Sequence, residues 1–224
     1  LAQIGRWPFD RQLHAVLLDA LRENGSSAMA FDILFAEPST SDSHLIKASS
    51  EYKNAFFCDA MFNPVPKAGR RISAKVDVPL LDGLRDVAAG VGFVNAIPDE
   101  DGKIRRVAPV IWVGDQPHFH LSVLLAMNQL NVKRKDVAFG RGFIDLGGKV
   151  RIPVDENGDT LIRFNGRWHE AFEHTSYANV LSAYWKPELN SKYFDLASLK
   201  DRVSIVGLTA TGSHDMNPVP LEPR

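Results

Sequence analysis

Asp32 and Glu37, with Ser39 and Asp42 close behind, are the side chains best spaced to act together in this chain of 224 residues. The first two stand in Ala30-Phe31-Asp32-Ile33-Leu34-Phe35-Ala36-Glu37-Pro38, a run otherwise fit for a core. An ionised carboxylate there must be paired or face a cleft, because desolvation costs on the order of several kcal/mol unless hydrogen bonds or an opposite charge offset it. In a cleft these groups can hold a polar ligand, or with Asp215 they can serve a hydrolase or a metal-dependent enzyme. Tied to loop amides or to Arg6 or Arg11, they are architectural.

Further candidates follow the same logic. Open α/β sheets bind ligands beyond the carboxyl ends of their central strands. Thr209, Thr211, Ser213, His214 and Asp215 follow the last apolar run, so their loop is expected to meet the Asp32 loop at one crevice. The ligand-contact set is therefore Asp32, Glu37, Ser39, Asp42, Asn95, Arg105, Thr209 and Asp215. Arg105 and Arg106 alternate across a strand, so only one of them can enter a cleft.

Other motifs resolve to structure rather than chemistry. Asp99-Glu100-Asp101-Gly102 has Lys103 where a calcium loop needs its next acidic residue, and reads as a turn. The glycine frame 207–212 has Ser213 and His214 in place of the Lys and Ser/Thr pair of a phosphate loop. His118 and His120 have no identifiable third ligand, and no G-x-S-x-G elbow exists. Cys58, the single cysteine, sits in an apolar run as a small core side chain. No catalytic residue, metal or cofactor is assigned.

The elements that must position these groups alternate. Leu13, Val16, Leu17, Ala20 and Leu21 predict a helix over 11–24, with Asp10 as N-cap and Gly25 as stop. Segment 28–35 reads as a central strand covered on both faces, 43–52 as a helix, and 54–61 as a strand. A surface excursion is expected over 63–79, then a helix from Pro79 to Gly90. The Asp-Gly signal predicts that 91–97 and 104–113 pair as a hairpin. A helix over 118–130 precedes short strands at 143–146, 150–153 and 160–164, helices at 177–185 and 196–201, and a buried strand at 202–208. The fold class is α/β: a mostly parallel or mixed central sheet flanked by helices, with a small antiparallel section. The aromatic cluster Trp7, Phe9, Phe31, Phe35, Phe56 and Phe57 reads as packing.

Composition narrows the partners. Hydrophobic residues are 45% and charged residues 24%, ordinary for one sizeable globular domain. A formal net charge of −1 with interspersed signs argues against nucleic acid. No stretch reaches the roughly 18 to 20 apolar residues of a membrane span. The start lacks an initiator methionine and the end is proline-rich, as expected of a piece of a longer protein.

The order of motifs adds a resemblance. Gly5-Arg6-Trp7-Pro8-Phe9 with Arg11, the Ala30–Pro38 run, Gly92-Phe93-Val94-Asn95, Asp99-Glu100-Asp101-Gly102-Lys103-Ile104-Arg105-Arg106-Val107, Arg163-Phe164-Asn165-Gly166, Ser176-Tyr177-Ala178-Asn179-Val180-Leu181 and Val203-Ser204-Ile205-Val206-Gly207-Leu208-Thr209-Ala210 occur in that sequence. Together they resemble the second-type CHASE domain, the extracellular sensory module of bacterial adenylate cyclases, diguanylate cyclases and phosphodiesterases, and histidine kinases. Asp10 departs from the family's usual proline. The family pattern begins earlier, with an apolar strand expected beside the Asp32 strand, and continues toward a membrane segment. The resemblance implies one extracytoplasmic (periplasmic) sensor domain over 1–224, truncated at both ends, in an inner-membrane receptor. It implies a small-molecule ligand of unknown identity, flanking transmembrane helices, a cytoplasmic enzymatic output domain, and a homodimer as one available arrangement. A protein-interaction domain is the remaining alternative.

Overall fold

The computed structural model describes residues 4, 5, 7–208, 219 and 220, and the fold begins where the sequence places its first cap. The Asp10 carboxylate accepts the Gln12 amide at 2.8 Å and opens α1 (Arg11–Glu23). Gly25, at φ +72°, turns the chain out of it. Strand β1 (Ala28–Leu34) follows, then α2 (Asp42–Tyr52), β2 (Ala55–Asp59), β3 (Val65–Lys67), β4 (Arg70–Ser73), α3 (Asp82–Val87) and β5 (Gly90–Phe93). Next come β6 (Arg106–Val107), β7 (Val110–Val113), β8 (Gln116–Phe119) and α4 (Leu121–Gln129). The chain continues through β9 (Val137–Gly140), β10 (Phe143–Leu146), β11 (Val150–Pro153) and β12 (Thr160–Leu161) to α5 (Trp168–Ala171), α6 (Tyr177–Trp185), α7 (Asn190–Tyr193) and β13 (Val203–Val206).

Four strands, in the order β13-β1-β2-β5, form an all-parallel sheet. Alternation along β1 assigns its two faces: Met29, Phe31 and Ile33 pack with Leu17, Leu18 and Leu21 of α1, Leu45 of α2 and Leu181 of α6. Ala28 and Ala30 point the other way, into a second cluster with Phe56, Cys58 and the α4 residues Leu121, Leu124 and Leu125. Each fully buried Leu or Phe contributes about 1.5–3 kcal/mol relative to exposure, so the two helix layers dominate the stability of the sheet. The α/β class holds, with a mixed sheet of order β3-β4-β7-β8, a three-stranded antiparallel sheet of order β11-β10-β9, and the pair β12-β6 beside the parallel sheet.

Glycine at 92 is required by this packing. A Cβ there would lie 2.8 Å from the Phe119 carbonyl oxygen and 2.9 Å from the Leu121 nitrogen, both backbone atoms that cannot move aside. The bare backbone lets the start of α4 sit against β5.

Several expectations need correction. Segments 91–97 and 104–113 do not form a hairpin: β5 pairs in parallel with β2, β6 with β12, and β7 with β4 and β8. The Asp99–Gly102 turn itself forms, with the Gly102 amide donating to the Asp99 carbonyl at 2.8 Å. The 63–79 segment is mostly exposed, as expected, but it holds the unforeseen β3-β4 hairpin, turned at Ala68 and Gly69, which both take positive φ. Strand β12 leaves β11 for β6, and β9 was not foreseen. The 202–208 strand is an edge rather than a buried element, with Ile205 66% exposed. Coverage of β1 is also incomplete, since its burial ends at Ile33 on one face and at Ala30 on the other. Of the aromatic cluster, Phe56 packs on the α4 face, away from Phe31, Phe35 and Phe57.

Candidate functional site

The carboxyl ends of β1, β2 and β5 open on one end of the parallel sheet, where the sequence placed its ligand set. Asp32 is exposed, and a Cβ on Gly207 would stand 3.7 Å from its Oδ2, so the exits of β1 and β13 are neighbours. It is not a buried carboxylate, because the α4 layer stops at Ala30. Beneath it, burial together with the Asp32 charge pushes the Cys58 thiol up to about 12, which keeps that cysteine an inert core group.

Arg11 organises the loop after β1. Its Nε donates to Asp42 Oδ1 at 3.1 Å, its NH2 donates to the Glu37 carbonyl oxygen at 3.2 Å, and its guanidinium lies 4.5 Å from the Phe35 ring centroid. The other Asp42 oxygen accepts the Ser39 amide at 2.7 Å. Ser41 Oγ donates to Asp10 Oδ2 at 3.1 Å, and the Gln12 amide holds the Asp10 carboxyl below its usual range. Asp42 is therefore a brace, whereas Glu37 and Ser39 lie exposed in the loop that follows β1.

Asn95, at the exit of β5, clamps the exit of β2. Its Oδ1 accepts the Met61 amide at 2.9 Å and its Nδ2 donates to the Met61 carbonyl at 2.6 Å. Arg105 is held elsewhere, by Asp99 at 2.9 Å and by Asp101 through two contacts of 2.8 and 2.6 Å. The expected alternation of the two arginines does not occur, because Arg105 precedes β6; Arg106, the first residue of that strand, lines a small cleft with Arg71, Asn95, Ile97 and Asp159. Thr209 and Asp215, with the rest of the loop after β13, lie outside the described residues, as does Arg6.

Three polar constellations escaped the sequence reading. Asp59, fully buried at the end of β2, meets His118 Nε2 at 2.8 Å and has Arg85 of α3 3.8 Å away. It ties the parallel sheet to β8; the one signal was an apolar strand ending in an acid. Arg71 and Asp159 form a bidentate pair at 2.7 and 2.6 Å, with the aspartate side chain only 5% exposed. His14 lies among Trp7, Phe9, Phe31, Phe35 and Tyr177, and burial lowers it to about 4. His118 and His120 do not share a site: His120 caps α4 through the Ser122 amide. Among the described residues no group of three or more His, Cys, Asp or Glu is placed to hold a metal ion.

An α/β module whose polar residues mostly brace strand exits, with a few exposed carboxylates and hydroxyls at the mouth of a parallel sheet, has the construction of a binding domain. The chain belongs to the CHASE2 domain family, whose family model matches residues 1–223. CHASE2 is an extracellular, non-catalytic sensory domain family found in signalling receptors. Comparison with curated proteins and with solved structures finds no match. No helix among the described residues is long and apolar enough to cross a membrane.

Proposed function

We propose that this chain is the ligand-sensing, extracytoplasmic input domain of a bacterial transmembrane signalling protein with a cyclase, diguanylate cyclase/phosphodiesterase or histidine kinase as its output. The observation that carries the reading is the family match over essentially the whole chain. A small-molecule ligand sits over Asp32, Glu37 and Ser39, the exposed groups at the sheet mouth, with Asp42 and Asn95 holding the loops beneath it. Ligand that binds one arrangement of these loops better shifts the population toward it, and flanking membrane helices carry the bias to the output.

The test has two arms. Gene sequence on both sides of the chain should encode hydrophobic spans, and alkaline phosphatase fused after residue 224 should be active in intact bacteria. A gene without flanking spans would overturn the receptor reading. A metabolite panel screened by thermal shift should then yield compounds whose effect is lost in Asp32→Asn with Glu37→Gln; hits indifferent to both changes would move the ligand elsewhere.

A further inference from the structure

Asp59, at the carboxyl end of β2, keeps one carboxylate oxygen unsatisfied. Its side chain is fully buried and its Oδ1 is pinned 2.8 Å from His118 Nε2, while among the described residues its Oδ2 has no hydrogen-bond partner. A buried acceptor left unpaired carries the desolvation penalty of the group, and such an atom is a reservoir of strain. The guanidinium that faces it stops short. Arg85 Nη2 lies 3.8 Å from Oδ2, about 1 Å beyond a charge-assisted hydrogen bond, and the arginine side chain is 38% exposed.

A long, rotamer-rich side chain that halts so near its partner is limited by where its helix sits. Helix α3 is held lightly. Its N-cap, Leu81, supplies no side-chain cap, and Gly83 lays bare backbone against Ile46 of α2, where a Cβ would stand 2.8 Å from Cδ1. Leu84 anchors the helix in the core, so its freedom is that of a pivot. The Leu81 amide donates to the Phe35 carbonyl at 3.1 Å, which hangs the start of α3 on the loop after β1. Arg11 braces that loop through the Glu37 carbonyl and the Asp42 carboxylate.

We propose that α3 is a lid poised over the end of β2: in its closed position Arg85 bonds to Asp59 Oδ2, and the movement passes through Leu81 to the loop after β1. The structure shows the open position, in which the braced loop holds α3 back. Closure satisfies an orphaned acceptor and orders one arginine side chain in exchange. A shift of about 1 Å separates the two positions, so both are populated, the minor one at roughly 0.1–10%. Because His118 of β8 pins the same carboxylate, closure also bears on the mixed sheet. The lid deepens the ligand reading and rests on it only for what drives closure, namely a ligand that moves the Glu37 loop and so releases α3. The closure itself is testable without a ligand.

The test is amide nitrogen relaxation dispersion on the whole chain, which reads microsecond-to-millisecond exchange. Amides of 81–88, Ala60 and His118 should share one exchange process. Arg85→Met should abolish it while far-UV circular dichroism is unchanged. Arg85→Lys keeps the charge with a shorter reach and should cut the minor population about threefold or more, which covers the case in which methionine perturbs the fold. Arg11→Met frees the loop after β1 without touching Asp59 and should raise the minor population. No exchange in these amides, or exchange indifferent to both Arg85 variants, overturns the lid and leaves the ligand reading standing. Exchange that needs Arg85 but ignores Arg11→Met overturns the link to the loop. A metabolite panel without hits, with the exchange intact and sensitive to both arginines, supports the lid and counts against the ligand reading alone.

Discussion

The Tyr177 hydroxyl and His14 Nδ1 lie 2.9 Å apart, a polar contact inside an aromatic cage that ties α6 to α1. The imidazole is 1% exposed, and desolvation lowers its pKa from 6.5 to about 4. Burial lowers His120 to about 4 as well. Both folded values lie below the unfolded one, so between about pH 6.5 and 4 the unfolded chain binds more protons. Stability is full above pH 6.5 and is lost as pH falls through that window, by up to about 3 kcal/mol for the enclosed His14. Urea midpoints measured from pH 7 to pH 4 should fall, and His14→Gln should flatten the slope while leaving a remainder from His120. Tyr177→Phe should cost about 1–3 kcal/mol at pH 7, since it keeps the ring and removes the partner of a buried nitrogen.

Arg71 and Asp159 join β4 to the segment before β12, with side chains 13% and 5% exposed. Removing one partner leaves the other charge in a site with little water. Asp159→Ala should therefore cost about 3–5 kcal/mol, as should Arg71→Met. Replacing both by Met and Leu should cost much less than the sum, because no uncompensated charge stays behind. A double-mutant cycle from chemical denaturation measures the coupling. Additive losses would mean that solvent reaches the pair more freely than its exposure indicates.

What the sequence displayed was local. Asp10, the apolar spacing from Leu13 to Leu21, and Gly25 bound α1 within one turn of chain, and they were readable. Strand β5 was legible as a strand but not by its partner: the Asp-Gly turn at 101–102 forms, yet the residues before it pair in parallel with β2, far back in the chain. No local pattern encodes that choice. The β3-β4 hairpin is polar and proline-bearing, and Arg71 is fixed by an aspartate 88 residues away. Asp59 was hidden because four apolar neighbours made its strand look like pure core. At the site, the carboxylate loop after β1 was found. Which of its members are braces depended on where Arg11 reaches, and the choice of Arg106 over Arg105 at the cleft depended on where β6 begins, which its pairing with the distant β12 sets.

Gly92 tests how closely α4 is seated. Gly92→Ala places a methyl 2.8–2.9 Å from backbone atoms of Phe119 and Leu121, so β5 or the α4 start must shift. Overpacking of this kind costs about 1–3 kcal/mol. Gly102→Ala is the informative contrast: its Cβ meets nothing within 4 Å, but φ is +77°. There the cost comes from backbone conformation alone, about 1 kcal/mol. Thermal unfolding of both should rank Gly92→Ala as the more damaging, with hydrogen exchange in 119–123 accelerated only by that variant.

Asn95 separates a hydrogen-bonding role from a charge role at the sheet mouth. Its amide satisfies the Met61 N–H with Oδ1 and the Met61 C=O with Nδ2, and the two contacts fix which end of the carboxamide points where. Asn95→Ala removes both and leaves room for water at a half-buried site, at a cost of about 1–3 kcal/mol. Asn95→Asp keeps the acceptor but sets a second oxygen against the Met61 carbonyl, adding repulsion to the lost bond. At pH 7 the aspartate should therefore be the less stable of the two variants, although it is the closer in shape. Lowering the pH should then protonate the new carboxyl, which can donate to the Met61 carbonyl and restore the pair. Chemical denaturation of both variants at pH 7 and pH 4.5, each referred to the unaltered chain at the same pH, reads this out. A gap between Asp and Ala that narrows or reverses in acid supports the clamp, and an aspartate as stable as asparagine at pH 7 would show that Asn95 acts by shape alone.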